Sequence, residues 1–123
     1  MGFLLLQKHC ACSAEKAPNC CREGWRLVFA GSRFCTDAEQ RYASIEGKAN
    51  AIAWALDKCR IFLLGCPDVI VVTTHKPLKG LFGDKDLNKI NNPLLFRLKE
   101  RTLRYSFVMQ HCPGAWTLFH VIL

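Results

Sequence analysis

The sequence predicts an α/β domain, and three kinds of stretch carry that expectation. Residues 2–6, "GFLLL", and 25–30, "WRLVFA", are short runs of large apolar residues, the composition of strands. Apolar residues then recur three and four apart at Tyr42, Ile45, Ala49, Ile52, Ala53, Leu56, Cys59 and Leu63, which is one face of a long helix. After it, "VIVVT" is a continuous apolar run, the pattern of a strand covered on both faces. A helix followed by a buried strand is an α/β order.

Each element follows in turn. A polar, Cys-rich stretch with Pro18, Asn19 and Gly24 separates the first two strands, so they are expected to form an antiparallel pair with a long loop. Thr36 opens "TDAE", a Thr with a Glu three residues on, which is the capping-box pattern and marks a helix start. Gly47 is expected to divide the helical stretch into a short and a long helix, and Gly65 to stop the second. Beyond Pro77, "GLFGDKDLNKINN" reads as loop. Asn92 followed by Pro93 supplies an N-cap and a first helical residue, and "PLLFRLKERTL" sets Leu94, Leu95, Leu98 and Thr102 on one side. "RYSFVMQ" alternates Tyr105, Phe107 and Met109 with Ser106, Val108 and Gln110, a strand. "HCPG" makes a turn, and the tail "AWTLFHVIL" is apolar without alternation and receives no assignment.

At 123 residues the chain holds one domain at most, and with half its residues hydrophobic it is no disordered segment. Seventeen Lys and Arg against ten acids give a net charge of +7. That balance suits a polyanionic partner, and suits plain solubility as well. The N-terminal run "FLLL" is too short for a signal-peptide core, and no run approaches the roughly 18–20 apolar residues that span a bilayer. Leu6 stands where myristoylation wants Ser or Thr. The expectation is an intracellular chain with no membrane partner.

Eight cysteines, at 10, 12, 20, 21, 35, 59, 66 and 112, fit a disulfide framework by count, but without a signal peptide they read as reduced thiols. A zinc site from His9, Cys10, Cys12, Cys20 and Cys21 is the competing reading. Its Cys-x-Cys followed by adjacent cysteines departs from the usual Cys-x2-Cys spacing.

Three longer segments, "AGSRFCTDAEQRYASIEGKANAIAWALDKCRIFLLG", "VIVVTTHKPLKGLFGD" and "NNPLLFRLKERTLRYSFVMQHCPG", agree in order and spacing with one family. The chain resembles the ribonuclease H domain of Ty3/gypsy-type retrotransposon reverse transcriptases, from about Gly2 to Gly114. The resemblance implies a five-stranded mixed sheet with flanking helices, here lacking the first strand and the last helix. Residues 1–114 are then a partial RNase H-like domain and 115–123 a non-matching apolar tail. In the family the first strand lies centrally, between the second strand and the strand that here ends near Thr74. Without it, buried backbone groups would go unpaired at about 1–3 kcal/mol each. Either the first strand pair closes on the buried strand or the apolar tail fills the gap; otherwise the chain is expected to fold poorly alone.

The family cuts the RNA strand of RNA–DNA hybrids with two Mg²⁺ ions roughly 4 Å apart, held by four carboxylates. Hard Mg²⁺ takes oxygen ligands, and the metals neutralise the acids that converge on them. The resemblance implies that the first acid would precede this sequence. The second falls in an "EGEALA"-like segment that here reads "EGKANA", so Lys48 takes its place. Glu46 is two residues away, about 200° around a helix, and does not substitute. The third falls in a "TDHKPL"-like motif that here reads "TTHKPL", so Thr74 takes its place. The fourth belongs to an Ala-Asp-Ala type motif beyond "HCPG", where this sequence turns into "AWTLFHVIL". The expectation is no intact catalytic residue, no metal site and no Mg²⁺ cofactor.

Arg33, Arg41, His75 and Lys76 are the candidates for contacting a nucleic-acid backbone. His75 and Lys76 also read as a loop His and a solvated Lys, and Arg41 as solvated or paired with Asp37 or Glu39. Any binding of an RNA–DNA hybrid or other nucleic acid is then weak, salt-sensitive and indifferent to sequence. The polymerase region of a parent polyprotein is the other partner implied. Trp25, Trp54 and most Phe residues suit core positions better than base-stacking platforms.

Overall fold

The computed structural model describes residues 1–8, 25–84, 86–112 and 119–122, with backbone alone at Lys8, Trp25, Asp84 and 119–122. Strands β1 (Gly2–Lys8) and β2 (Trp25–Ser32) pair antiparallel, as the two apolar runs predict. Leu5 faces Phe29 and Leu6 faces Leu27, so Val28 is an extra residue on β2 and bends it as a bulge does. Phe3 and Leu5 point from β1 into the core. Gly31 lies opposite Phe3, and a Cβ there would meet the Phe3 ring at 2.6 Å.

Thr36 caps α1 (Asp37–Gln40) with both halves of the capping box: its Oγ accepts from the Glu39 N–H at 3.2 Å, and its own N–H donates to Glu39 Oε1 at 2.9 Å. The helical break expected at Gly47 falls earlier, at residues 41–43, and Gly47 lies inside α2 (Ser44–Lys58). Its N–H donates to the Ala43 carbonyl at 2.9 Å. A mid-helix glycine costs about 1 kcal/mol. Burial of Ala49, Ile52, Ala53 and Leu56 on one face outweighs that. The one-turn helix α3 (Arg60–Leu63) follows, and Gly65 ends it at φ +84°, where a side chain would be strained.

Strand β3 (Val69–Thr73) is buried almost throughout, as its unbroken apolar run predicts. Helix α4 (Lys76–Lys79) follows, and the segment read as loop is in part helical, with a π-type turn (Gly80–Asp84) and a 3₁₀ turn (Leu87–Lys89). Gly80 and Gly83 look like breakers, yet burial of Leu78, Leu81, Phe82 and Ile90 winds the chain against the core. Asn92 Oδ1 caps α5 (Pro93–Thr102) by accepting from the Leu94 and Leu95 N–H groups at 2.9 and 3.3 Å. Leu95, Leu98 and Thr102 are buried along its inner side. Asp57 ties α2 to this part of the chain, accepting from Arg101 at 2.5 Å, the Tyr105 hydroxyl at 3.1 Å and Arg104 at 3.4 Å.

Strand β4 (Phe107–His111) runs parallel to β3, with Met109 inward and Val108 exposed, matching the alternation in the sequence. The tail supplies β5 (Phe119–Ile122), and the sheet order is β2-β1-β5-β3-β4. Strand β5 is parallel to β1 and antiparallel to β3, so residues 119–122 of the apolar tail lie between them. The expected "HCPG" turn extends outside the described residues, although the Cys112 N–H still bonds the Thr73 carbonyl at 2.9 Å. Among the aromatics, Phe3 and Phe82 are in the core and Trp54 packs edge-on to Phe3 with centroids 5.3 Å apart. Phe34, at 97% exposed, and the partly exposed Phe29 and Phe62 depart from the core expectation. The Trp25 side chain lies outside the described residues. Among the described residues, no helix is long and apolar enough to cross a membrane.

Candidate functional site

The end of β3 and the middle of α2 meet where the sequence places the altered acid positions. Lys48 projects from α2, and its ammonium Nζ lies 3.3 Å from Nδ1 of His75. An ammonium only donates, so Nδ1 is the acceptor and the neutral imidazole carries its proton on Nε2. Burial and, after it, the Lys48 charge push the His75 pKa below the usual imidazole value. The ring is held from the backbone side by the His75 N–H, which donates to Thr73 Oγ at 3.1 Å. Thr74 precedes it, half-buried, and its carbonyl lies 3.2 Å from Nε2 of His111 at the end of β4. Helix α4 then carries the exposed Lys76 away from the strand end.

The other two candidate cations lie elsewhere. Arg33, just after β2, forms a two-pronged pair with Glu39 at 2.7 Å on both prongs and sits over the Trp54 ring at 5.2 Å. Asn50 of α2 also donates to Glu39, so this carboxylate joins β2, α1 and α2. Its pKa is held well below the usual carboxylate range, first by Arg33 and then by the Thr36 N–H. Arg41 caps the C-terminus of α1 with its side chain exposed. Of the partners weighed for Arg41, Glu39 is committed to Arg33.

Glu46 does not turn toward the β3 end: its carboxylate is 3.4 Å from the Asn92 amide, on the side facing α5. A cleft of about 600 Å³ opens there, lined by Ile45, Pro77, Leu81, Ile90, Asn92 and Leu95. The sequence carries no signal for the Asn92 contact, because Asn92 is already accounted for as an N-cap. The Lys48–His75 contact is legible only in outline, Lys48 standing at one position where the resemblance expects an acid and His75 next to another, Thr74.

Mg²⁺ does not fit what the described residues offer here. A hydroxyl at Thr74 and an ammonium at Lys48 stand where the resemblance expects oxygen anions, and like charges near 4 Å repel by about 1 kcal/mol in bulk water and several times that near a protein surface. Among the described residues no group of three or more His, Cys, Asp or Glu gathers to hold a metal. The thiols of Cys35, Cys59 and Cys66 are free, with burial pushing Cys59 up to about 12. The zinc reading for His9, Cys10, Cys12, Cys20 and Cys21 lies outside the described residues.

A mixed sheet with flanking helices, and a helix and strand end that converge on one point, define the class. A family model described as the RNase H-like domain found in reverse transcriptase matches residues 1–111, and the chain belongs to that family. It is similar to two Drosophila melanogaster proteins. One is the retrovirus-related Pol polyprotein from transposon opus, 35% identical over 83 residues, which are 68% of this chain and 8% of that protein. The other is the corresponding polyprotein from transposon gypsy, 39% identical over 63 residues, 51% of this chain and 6% of that protein. These matches assign the chain to the RNase H-like domains of retrotransposon reverse transcriptases, and it spans less than a tenth of the length of either relative. No solved structure matches.

Proposed function

We propose that this chain is a degenerate RNase H-like domain that does not hydrolyse RNA–DNA hybrids and retains weak, salt-sensitive contact with nucleic acid. The observation that carries the reading is the Lys48 ammonium 3.3 Å from His75, beside Thr74. A two-metal mechanism needs carboxylates at that convergence to hold the ions that activate water and stabilise the leaving oxygen. A cation and a hydroxyl supply neither function, so no Mg²⁺ cofactor is bound. Strand β5 occupies the central place in the sheet that the resemblance assigns to the family's first strand.

The polynucleotide contact is supported by the net charge of +7 and by the exposed Lys76 next to the half-buried His75 and Lys48, with the exposed Arg41 adding charge elsewhere, at the end of α1. Arg33, paired with Glu39, contributes less than the sequence suggests. Such contacts go to phosphates, so affinity should fall steeply with salt and be indifferent to base sequence. The Pol context of the relatives makes a reverse-transcriptase polymerase region the natural protein partner.

The test is incubation of an RNA–DNA hybrid with the chain and Mg²⁺, beside equilibrium binding of the same hybrid at two salt concentrations. The reading expects no cleavage and salt-dependent binding. Mg²⁺-dependent cleavage lost on changing Glu46 or Asp68 would overturn it. Absence of all binding would favour the second reading, a structural remnant that packs on a polymerase region.

A further inference from the structure

We infer that Lys48 and His75 together form an oxyanion site that closes on a phosphate group when His75 takes up a proton. The site rests on the nucleic-acid reading above for its natural source of phosphate, and deepens it by naming the groups that bind and the condition under which they do.

The geometry points this way because the two side chains face each other at 3.3 Å, half-buried, and no carboxylate lies within ion-pair distance of Lys48 among the described residues. A half-buried ammonium without a counter-charge is a place where an anion is favoured. The groups around His75 are Lys48 from α2, Lys76 next to it on α4, and His111 at the adjacent end of β4. Only burial and the Lys48 charge contribute to the His75 shift, with no acid opposing them. At neutral pH the ring therefore serves as an acceptor for Lys48. A phosphate oxygen bridging the two would accept from Lys48, offset the Lys48 repulsion that, after burial, disfavours the protonated ring, and turn Nδ1 from acceptor to donor. The anchor of the His75 backbone on Thr73 keeps the ring at the strand end throughout.

Proton uptake and anion binding are then coupled, and the coupling is reciprocal. Phosphate should bind more tightly as pH falls through the His75 range, and should raise the His75 titration midpoint. Lys48 was a sign of lost chemistry in the sequence. In this arrangement it is the principal ligand for the group that the family's metals would have approached.

The experiment is an NMR pH titration of the histidine ring protons in the full chain, in roughly 0.1 M inorganic phosphate and in chloride of matched ionic strength, where screening is equal. The His75 midpoint is expected to rise by about half a unit or more in phosphate, roughly a threefold preference for the protonated ring. That rise should persist in Lys48→Arg and vanish in Lys48→Met. A His75 midpoint unmoved by phosphate, or moved equally in Lys48→Met, overturns the site. The same titration with an RNA–DNA hybrid separates the two levels of the argument. An unmoved His75 with salt-dependent hybrid binding sinks the site alone. A shift in inorganic phosphate without hybrid binding upholds the site and sinks the nucleic-acid reading.

Discussion

Leu5 of β1 and Val71 of β3 are joined through a single residue between them: Val121 of β5 is the register partner of both. Among the described residues, strand β5 is thus the one element bonding the β2-β1 half of the sheet to the β3-β4 half. Val121→Pro should break this joint, since proline lacks the N–H that a strand bonded on both sides must donate. With each unpaired buried group costing about 1–3 kcal/mol, a loss of about 2 kcal/mol or more is expected. Thermal melting would read it, and hydrogen exchange should show lost protection at Val71 and Leu5.

Glycine at position 31 is required by its neighbour across the strand pair. Gly31→Ala would bring a Cβ to 2.6 Å from the Phe3 ring, which is buried against Trp54 and Phe29 and has little room to yield. Overpacking of this kind costs about 1–3 kcal/mol. Denaturant unfolding should show a lower midpoint, and Phe3→Leu in the same chain should recover part of the loss.

The Glu39 carboxylate should govern the acid limb of stability. Its pKa in the fold lies below its unfolded value, so the folded state binds fewer protons and stability rises with pH across the interval between the two. The contribution is complete above the ordinary carboxylate range and is lost as pH falls through the depressed value. Glu39→Gln should lower the melting temperature at pH 7, because Arg33 loses its charged partner. It should also flatten the fall in stability below about pH 4.5, the ordinary value for this group. Melting curves from pH 2 to pH 7 would check both outcomes.

Restoring two acids should restore metal affinity without restoring hydrolysis. Lys48→Glu combined with Thr74→Asp places two carboxylates where an ammonium and a hydroxyl now stand. Calorimetry should then detect Mg²⁺ binding absent from the parent chain, while hybrid cleavage stays at background, since two-metal catalysis in the family uses four acids. In metal-free buffer the double variant should bind hybrid more weakly, having lost positive charge at the site.

Much of this fold could be read directly. The strand pair, the Thr36 and Asn92 caps, the buried "VIVVT" strand and the alternation in β4 all follow from local pattern, and the structure agrees with each. The failures share a cause. Gly47 and the glycines near residue 80 are weak helix formers, but Ala49, Ile52, Leu81 and Phe82 gain more from burial than the glycines cost. The tail went unassigned because an apolar run without alternation fits a strand bonded on both sides as well as any core segment. Its neighbours, not its composition, decide which. At the candidate site, Lys48 and Thr74 stand out in the sequence as departures from the motif it resembles. The hydrogen bond between Lys48 and His75 does not, because it depends on how α2 lies over the end of β3.

The position of β5 in the sheet also has a consequence in time. Phe119 pairs with Phe3, more than a hundred residues earlier in the chain. As the chain leaves a ribosome, the β1-β2 hairpin and the β3-β4 pair can each form early, but among the described residues the backbone bonds that join them come only with residues 119–122. Until then β1 and β3 each present an open edge that can pair with another molecule. Closure over such a sequence distance is slow. Among the described residues, the strand at the centre of the sheet is therefore the last one to be made.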